Sequence, residues 1–404
     1  MKASTYQMLA AEAAAALVLE HTPVLPAEEV RLAEAPGRVA AEDVVASRLL
    51  PAFPASAVDG YAIRSADGGG RLRVVGESAA GRPFAGQLEG GAAARILTGG
   101  VLPEGADSVV MVEDVEESGE HVVVPTGFAA GRNFHAPGAD LRPGDRVVSR
   151  GQPLGAAELG LVAALGIDRL RVHRRPRVAL MSTGDELVEV GQPLGLGQIT
   201  DSNRWALLAA LREAGAEVEL LGIAPDRPQP LRELVVAALD RCDVLVTSGG
   251  VSVGTHDLVK PLLESLGEVH VGRVKLRPGK PFTFATLPHG KLAFGLPGFP
   301  VSSLVTFEVF VRPALRRLQG YARLQRPRLP VRLDYDALAS GDRTEYQRVR
   351  LRREGPDLVA TSTGSQSSSR LMSLAGAHAL VRIPPGAEGY PAGSVVEALI
   401  LELP

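Results

Sequence analysis

The sequence predicts a multi-domain α/β protein, and three stretches of its 404 residues carry that reading. From residue 177 to about 320, short apolar runs alternate with helical patterns, the order that builds a mainly parallel sheet with helices on both faces. From about 47 to 140, short Val-rich runs are separated by Gly, Pro and Asp, which reads as a β-rich, barrel- or sandwich-like unit. From about 326 the pattern is β again. At roughly 100–200 residues per domain the length allows two to four domains.

Taken in chain order, residues 5–20 carry helical periodicity through Leu9, Ala13, Ala16, Leu17 and Leu19. A second short helix is expected over 27–35, stopped by Pro36-Gly37. Strands are expected over 71–75, 94–97, 108–112 and 121–124. Residues 154–165 return to a helical pattern closed by Gly166, as though the β-rich unit were inserted between helices, and 173–176 reads as a linker. The α/β stretch then gives strands over 178–181, 218–221, 243–247 and 292–294. Helices are expected over 203–214, capped by Asp201 or Ser202 with Gly215 after its end, and over 231–239, 258–266 and 302–318. In the last part, Val349 and Leu351 alternate with Arg348, Arg350 and Arg352 as on a half-buried strand, and further strands fit 379–383 and 395–401.

Composition removes several function classes. Hydrophobic residues make up 45% but aromatics only 4%, so Leu, Val and Ala must fill the cores. The 45 Gly and 30 Pro show no period, which indicates many turns rather than collagen. A net charge of −3 gives no global field toward nucleic acid or an acidic membrane, so any anion site must be a local cluster. Cys242 is the single cysteine, which excludes an internal disulfide and a Cys-based structural zinc site and fits a reducing cytoplasm. Glu12 and Glu20 bracket the short apolar run near the start, which reads as an amphipathic helix and not a signal peptide. No run approaches the ~20 apolar residues that span a bilayer.

Three loops follow strands of the α/β stretch: Ser182-Thr183-Gly184-Asp185-Glu186; Ser248-Gly249-Gly250-Val251-Ser252-Val253-Gly254, with Asp257 just beyond; and Gly295-Leu296-Pro297-Gly298-Phe299-Pro300. One Gly-rich loop usually only turns the chain. Three at successive strand ends point to a ligand, because such sheets bind beyond their strand C-termini and successive backbone N–H groups cradle anions. None is a Walker loop or a dinucleotide fingerprint. Arg273, Lys275 and Arg277 alternate, so on a strand they share a face, and with Lys280 they form a phosphate or oxyanion grip. The acids Asp59, Asp140, Glu186, Asp226 and Asp257 include several in or beside these loops, where a hard cation such as Mg²⁺ would relieve their repulsion of an anion.

These motifs, with the Asp59 loop and the segment 95–114, occur in one order that resembles the molybdopterin molybdenumtransferases, the family related to the E domain of gephyrin. The resemblance implies four domains: a discontinuous helical one (1–46 and 142–175), an inserted β-rich one (47–141), an α/β molybdopterin-binding one (176–325) and a C-terminal β-barrel (326–404). It implies insertion of molybdenum from molybdate into adenylylated molybdopterin with release of AMP, in the cytoplasm. An elongated homodimer would share its cleft between subunits, with no nucleic acid or membrane partner and transient contacts to molybdopterin adenylyltransferase and recipient molybdoenzymes. Carried over by motif, Asp59, Glu186, Asp226 and Asp257 are catalytic, and Asp59, Asp226 and Asp257 hold Mg²⁺ or Zn²⁺. Substrate is bound by Thr98, Asp140, Ser182, Thr183, Gly184, Ser248, Gly249, Gly250, Ser252, Gly254, Arg273, Arg277, Lys280, Pro297, Pro300, Arg343 and Ser368. The chain departs from the family where Arg273 and Arg277 stand for the usual Lys, and where Phe299 replaces the Asn of Leu-Pro-Gly-Asn-Pro. The rival readings are a nucleotide-using hydrolase on the same loops and a dimeric scaffold with a silent site.

Overall fold

The computed structural model describes residues 6–251, 258–339 and 341–404. Among them, the α/β region forms a six-stranded sheet in the order Glu217–Ala224, Arg177–Thr183, Val244–Ser248, Lys291–Leu296, Thr283–Leu287 and Glu268–Val271. The first four strands are parallel; Thr283–Leu287 runs antiparallel to them, and Glu268–Val271 antiparallel to Thr283–Leu287. Alternate residues of the central strands enter two cores, which is why these strands read as unbroken apolar runs. Leu180, Val246 and Phe294 pack against helices Asn203–Glu213 and Pro300–Thr306. Met181, Leu245 and Ala293 pack against Pro228–Leu239 and Val259–Leu266. Each fully buried Leu or Phe contributes about 1.5–3 kcal/mol to this packing.

The helix expected over 302–318 is in fact α-helix Pro300–Thr306, a π-helical segment Phe307–Val311 and α-helix Arg312–Leu318. Pro313 has no N–H to donate and its ring crowds the preceding turn, and the wider π turn takes up the misfit. A second difference is the expected helix over 27–35. That stretch is strand Ala27–Arg31, paired antiparallel with Arg169–His173, followed by the short 3-10 turn Leu32–Glu34. Tertiary pairing overrides the helix propensity of Ala and Glu there. The proposed linker at 173–176 is likewise anchored: His173 is buried at a strand end, and Arg174 donates twice to the Asp243 carboxylate at 2.8 Å.

The β-rich insertion is a six-stranded sheet in the order Ser108–Met111, Gly60–Ile63, Ala92–Ile96, Arg71–Ser78, His121–Val123 and Glu116–Ser118. The strands on either side of it do rejoin, since Val44–Val45 pairs with Arg146–Val148 beside helix Ala156–Ala164. The N-terminal helix Ala11–Glu20 instead buries Ala11, Ala14 and Val18 in the same core as Leu180 and Phe294. At the C-terminal end, Thr344–Glu354, Asp357–Ser362, Arg328–Leu333, Val395–Ile400 and Ala379–Ile383 pair in turn, and the last pairs back to the first, closing a five-stranded barrel. Strand Val274–Arg277 leaves the α/β sheet and runs parallel to Leu9–Ala10 and to Thr344–Glu345. That strand brings the barrel up to the sheet's ligand-binding end. Among the described residues no helix is long and apolar enough to cross a membrane.

Candidate active site

At the C-terminal ends of the parallel strands lies a cleft of two adjoining chambers, of about 630 and 730 Å³. Both fall in the range of small-molecule sites. The first is lined by all three strand-end loops: Thr183, Gly184 and Glu186; Ser248, Gly249 and Gly250; Pro297 and Pro300. Asp226, which follows strand Glu217–Ala224, joins them. The glycines are required here. Gly249 has φ +91°, and a Cβ on it would meet the Thr183 carbonyl oxygen at 2.5 Å; at Gly250, φ +67°, it would meet Val259 and Thr183 side chains at 2.6 and 2.8 Å. The first and second loops therefore touch through backbone. The Thr183 hydroxyl donates to Asp226 Oδ1 and fixes that carboxylate.

Asn203 ties the loops together. Its Nδ2 donates to Ser248 Oγ at 2.8 Å and to the Gly298 carbonyl at 2.6 Å, joining the second loop to the third from the first turn of helix Asn203–Glu213. The sequence marked this residue only as a helix start. The preceding turn is held by Asp201, whose carboxylate accepts the Arg204 backbone N–H and lies 3.2 Å from the Arg204 guanidinium, both side chains being buried.

The second chamber faces the barrel. Arg277, Lys280 and Arg343 line it together with Ser302, Gln366, Ser367 and Ser368. The serine loop is held from behind by Arg348, a side chain the sequence reading placed on a solvent face. Arg348 is buried, and its guanidinium donates to Ser373 Oγ at 3.1 Å and to the Ser367 carbonyl at 3.2 Å. Gln366 accepts the Arg348 backbone N–H at 2.9 Å and donates back to its carbonyl at 3.1 Å. Burial pushes the Arg348 guanidinium down to about 10, against a smaller upward pull from Glu345. The Ser368 carbonyl accepts the Val301 N–H at 3.1 Å, which fastens the serine loop to the third strand-end loop.

Of the residues expected in the site, Thr183, Gly184, Glu186, Asp226, Ser248, Gly249, Gly250, Arg277, Lys280, Pro297, Pro300, Arg343 and Ser368 line this cleft. Ser182 does not; it is buried within its strand, where side chains alternate between the two faces of the sheet. Arg273 precedes strand Val274–Arg277 and lines neither chamber, and Lys275 faces Asp342 at 3.8 Å, so the basic cluster contributes its C-terminal half. Ser252, Gly254 and Asp257 lie outside the described residues. Asp59, Thr98 and Asp140 sit on the inserted unit and are exposed, away from this chain's own cleft lining. Asp59 and Thr98 do meet: the Thr98 N–H and hydroxyl both donate to Asp59 Oδ1 at 2.7 Å, and these bonds hold the Asp59 carboxyl below the usual carboxylate range. Among the described residues no three His, Cys, Asp or Glu stand together as a ready metal cage.

Three family models match most of the chain: the MoeA N-terminal region (domains I and II) over 9–166, a probable molybdopterin binding domain over 179–317 and the MoeA C-terminal region (domain IV) over 330–401. The molybdopterin molybdenumtransferase of a Nostoc species is 39% identical over 93% of this chain and 89% of its own length. The chain belongs to the molybdopterin molybdenumtransferase (MoeA) family. Gephyrin of Dictyostelium discoideum is 35% identical across 99% of the chain, which spans 63% of gephyrin's length. A solved molybdopterin biosynthesis MoeA protein from Pyrococcus horikosii superposes with a TM-score of 0.83 at 33% identity, covering 98% of this chain and 100% of that one. Family membership accounts for both the strand-end loops and the barrel docked over them.

Proposed function

We propose that this cleft binds adenylylated molybdopterin and molybdate, places molybdenum on the dithiolene and releases AMP. The observation that carries the reading is the union, in one continuous lining, of acids under the strand ends with Arg277, Lys280 and Arg343 on the barrel side. A substrate bearing a pyrophosphate and meeting a second oxyanion needs both. Guanidinium and ammonium groups hold the anionic oxygens, and Arg277 can do so bidentately. The strand-end loops add backbone N–H groups. Thr183 orients Asp226, and Glu186, common to both chambers, is placed to orient water or ligand.

A divalent cation belongs to this reading. The described lining of the two chambers offers carboxylate oxygens from Glu186 and Asp226, with that of Asp201 taken up by Arg204, and no His or Cys, a hard donor set that suits Mg²⁺ better than Zn²⁺. Asp257, which follows the second loop in sequence, is the further acid this reading assigns to the cation. When bound, the cation offsets negative charge on the departing phosphate. Asp59, Thr98 and Asp140 reach a cleft by completing that of a second subunit in a homodimer, which fits their exposure and their absence from the lining of their own. A cytoplasmic enzyme passing its product to molybdoenzymes fits the single, buried cysteine.

The test is AMP release from adenylylated molybdopterin, measured with molybdate for the wild type, Asp226→Asn and Asp257→Ala. The reading expects both variants to lose most turnover while still binding substrate. Near-normal turnover in both would remove the acids from the mechanism. Partners recovered by pull-down with no molybdopterin binding would favour the scaffold instead.

A further inference from the structure

We infer that Phe299 is a stacking platform on which the waist of the cleft recognises a planar fused heterocycle, the pterin or the adenine of the substrate; this rests on the function proposed above. The residues that line both chambers are Glu186, Ile199, Pro281, Pro297, Gly298 and Phe299. All but Glu186 are apolar or lack a side chain. The polar groups that grip charge stand to either side, and the middle of the cleft presents carbon. A ligand that satisfies this lining carries anionic groups flanking a flat, weakly solvated face.

Phe299 is the residue built for that face. Most phenylalanines around this sheet are packed ring on ring, as Phe282 is with Phe310 at 4.3 Å and Phe284 with Phe294 at 5.1 Å. Phe299 is 59% exposed, and among the described residues no ring packs on it. An aromatic ring left open to water inside a cleft gains by being covered, and π-faces stack on heterocycles with little regard to their edge groups.

The backbone beneath the ring is held on every side. The Gly298 carbonyl accepts from Asn203, the Phe299 carbonyl accepts the Ser303 N–H at 2.9 Å, Pro300 fixes φ at the next residue, and the Val301 N–H is bound by the Ser368 carbonyl at 3.1 Å. A ring on so fixed a support is preorganised, which lowers the ordering cost of binding.

The experiment measures binding of two fragments, AMP by calorimetry and pterin-6-carboxylate by quenching of its own fluorescence, to the wild type, Phe299→Leu, Phe299→Asn and Phe299→Tyr. Because the ring is exposed, all four proteins should melt at similar temperatures. Phe299→Leu and Phe299→Asn are expected to weaken one fragment about tenfold, while Phe299→Tyr stays near the wild type. Loss of the pterin fragment assigns the ring to the pterin; loss of AMP assigns it to adenine. Equal binding of both fragments by Phe299→Leu and the wild type, or no wild-type binding of either, overturns the inference. These readouts need no turnover, so molybdate-dependent AMP release can fail while stacking holds, and the reverse.

Discussion

Under the strand ends, the cleft is made of backbone: three loops, three glycines (Gly184, Gly249 and Gly250) with φ that side chains rarely adopt, and the acids Glu186 and Asp226 set among them. On the barrel side it is made of side chains: Arg277, Lys280, Arg343 and the serine loop, drawn from three segments far apart in sequence. The first half depends on close backbone approach at Gly249 and Gly250. The second depends on how the barrel docks, through strand Val274–Arg277 and the contact between Val301 and Ser368. Chemistry on the acid side and grip on the cationic side are therefore separable by mutation.

The largest expected effect is on the acid side. Asp226→Asn keeps the hydrogen bond to Thr183 yet removes the charge, and should cut kcat for AMP release about 100-fold or more with little change in KM. On the cationic side, Arg343→Ala or Lys280→Ala should raise KM about tenfold at low salt with kcat largely kept, and the difference should shrink as ionic strength rises. If either variant instead abolished kcat, the division between the halves would collapse.

Behind the cationic half, Arg348→Met sharpens the comparison. Replacing the buried guanidinium by an apolar side chain of similar length leaves the Ser373 hydroxyl and the Ser367 carbonyl without their donor, at a cost of about 1–3 kcal/mol in stability. The serine loop also loses its anchor at the Ser367 carbonyl. Urea unfolding should show that loss in a protein that still folds, while KM rises. A collapse of the barrel would show that Arg348 is needed for folding rather than for placing the loop.

The two halves also differ in how far the sequence discloses them. The strand-end loops are legible because their Gly and Pro stand in the sequence itself, although the contacts that require Gly249 and Gly250, with Thr183 and Val259, come from the fold. Arg348 is not, because alternation along 348–352 describes an open strand, whereas the first part of Thr344–Glu354 is covered on both faces by the closed barrel and the serine loop. Asn203 is hidden for another reason: at a helix start Asn is expected as a cap, and its bonds to Ser248 and Gly298 come only from the way the loops meet. The strand at Ala27–Arg31 was obscured by Ala and Glu, whose local preference loses to pairing with Arg169–His173.

Smaller effects follow from single hydrogen bonds. Asn203→Ala removes two, and should lower stability by about 1–2 kcal/mol and loosen both loops, seen as faster amide exchange at Ser248 and Gly298. On the inserted unit, the Asp59 carboxyl is depressed by Thr98, so its ionised form is favoured by folding above the ordinary carboxylate range and that preference is lost as pH falls through its folded value. Thr98→Ala should move the Asp59 titration, followed by carbon NMR, upward toward the ordinary carboxylate value.

The central claim is that one cleft, acidic at one end and cationic at the other, couples cleavage of a pyrophosphate to capture of an oxyanion. Its most direct measurement is AMP release by the wild-type protein from adenylylated molybdopterin, with and without molybdate, beside ATP and ADP as generic nucleotides. The account predicts release that depends on molybdate and leaves ATP and ADP intact. Equal release without molybdate, or steady hydrolysis of ATP or ADP, would contradict it and identify a nucleotide hydrolase on the same loops.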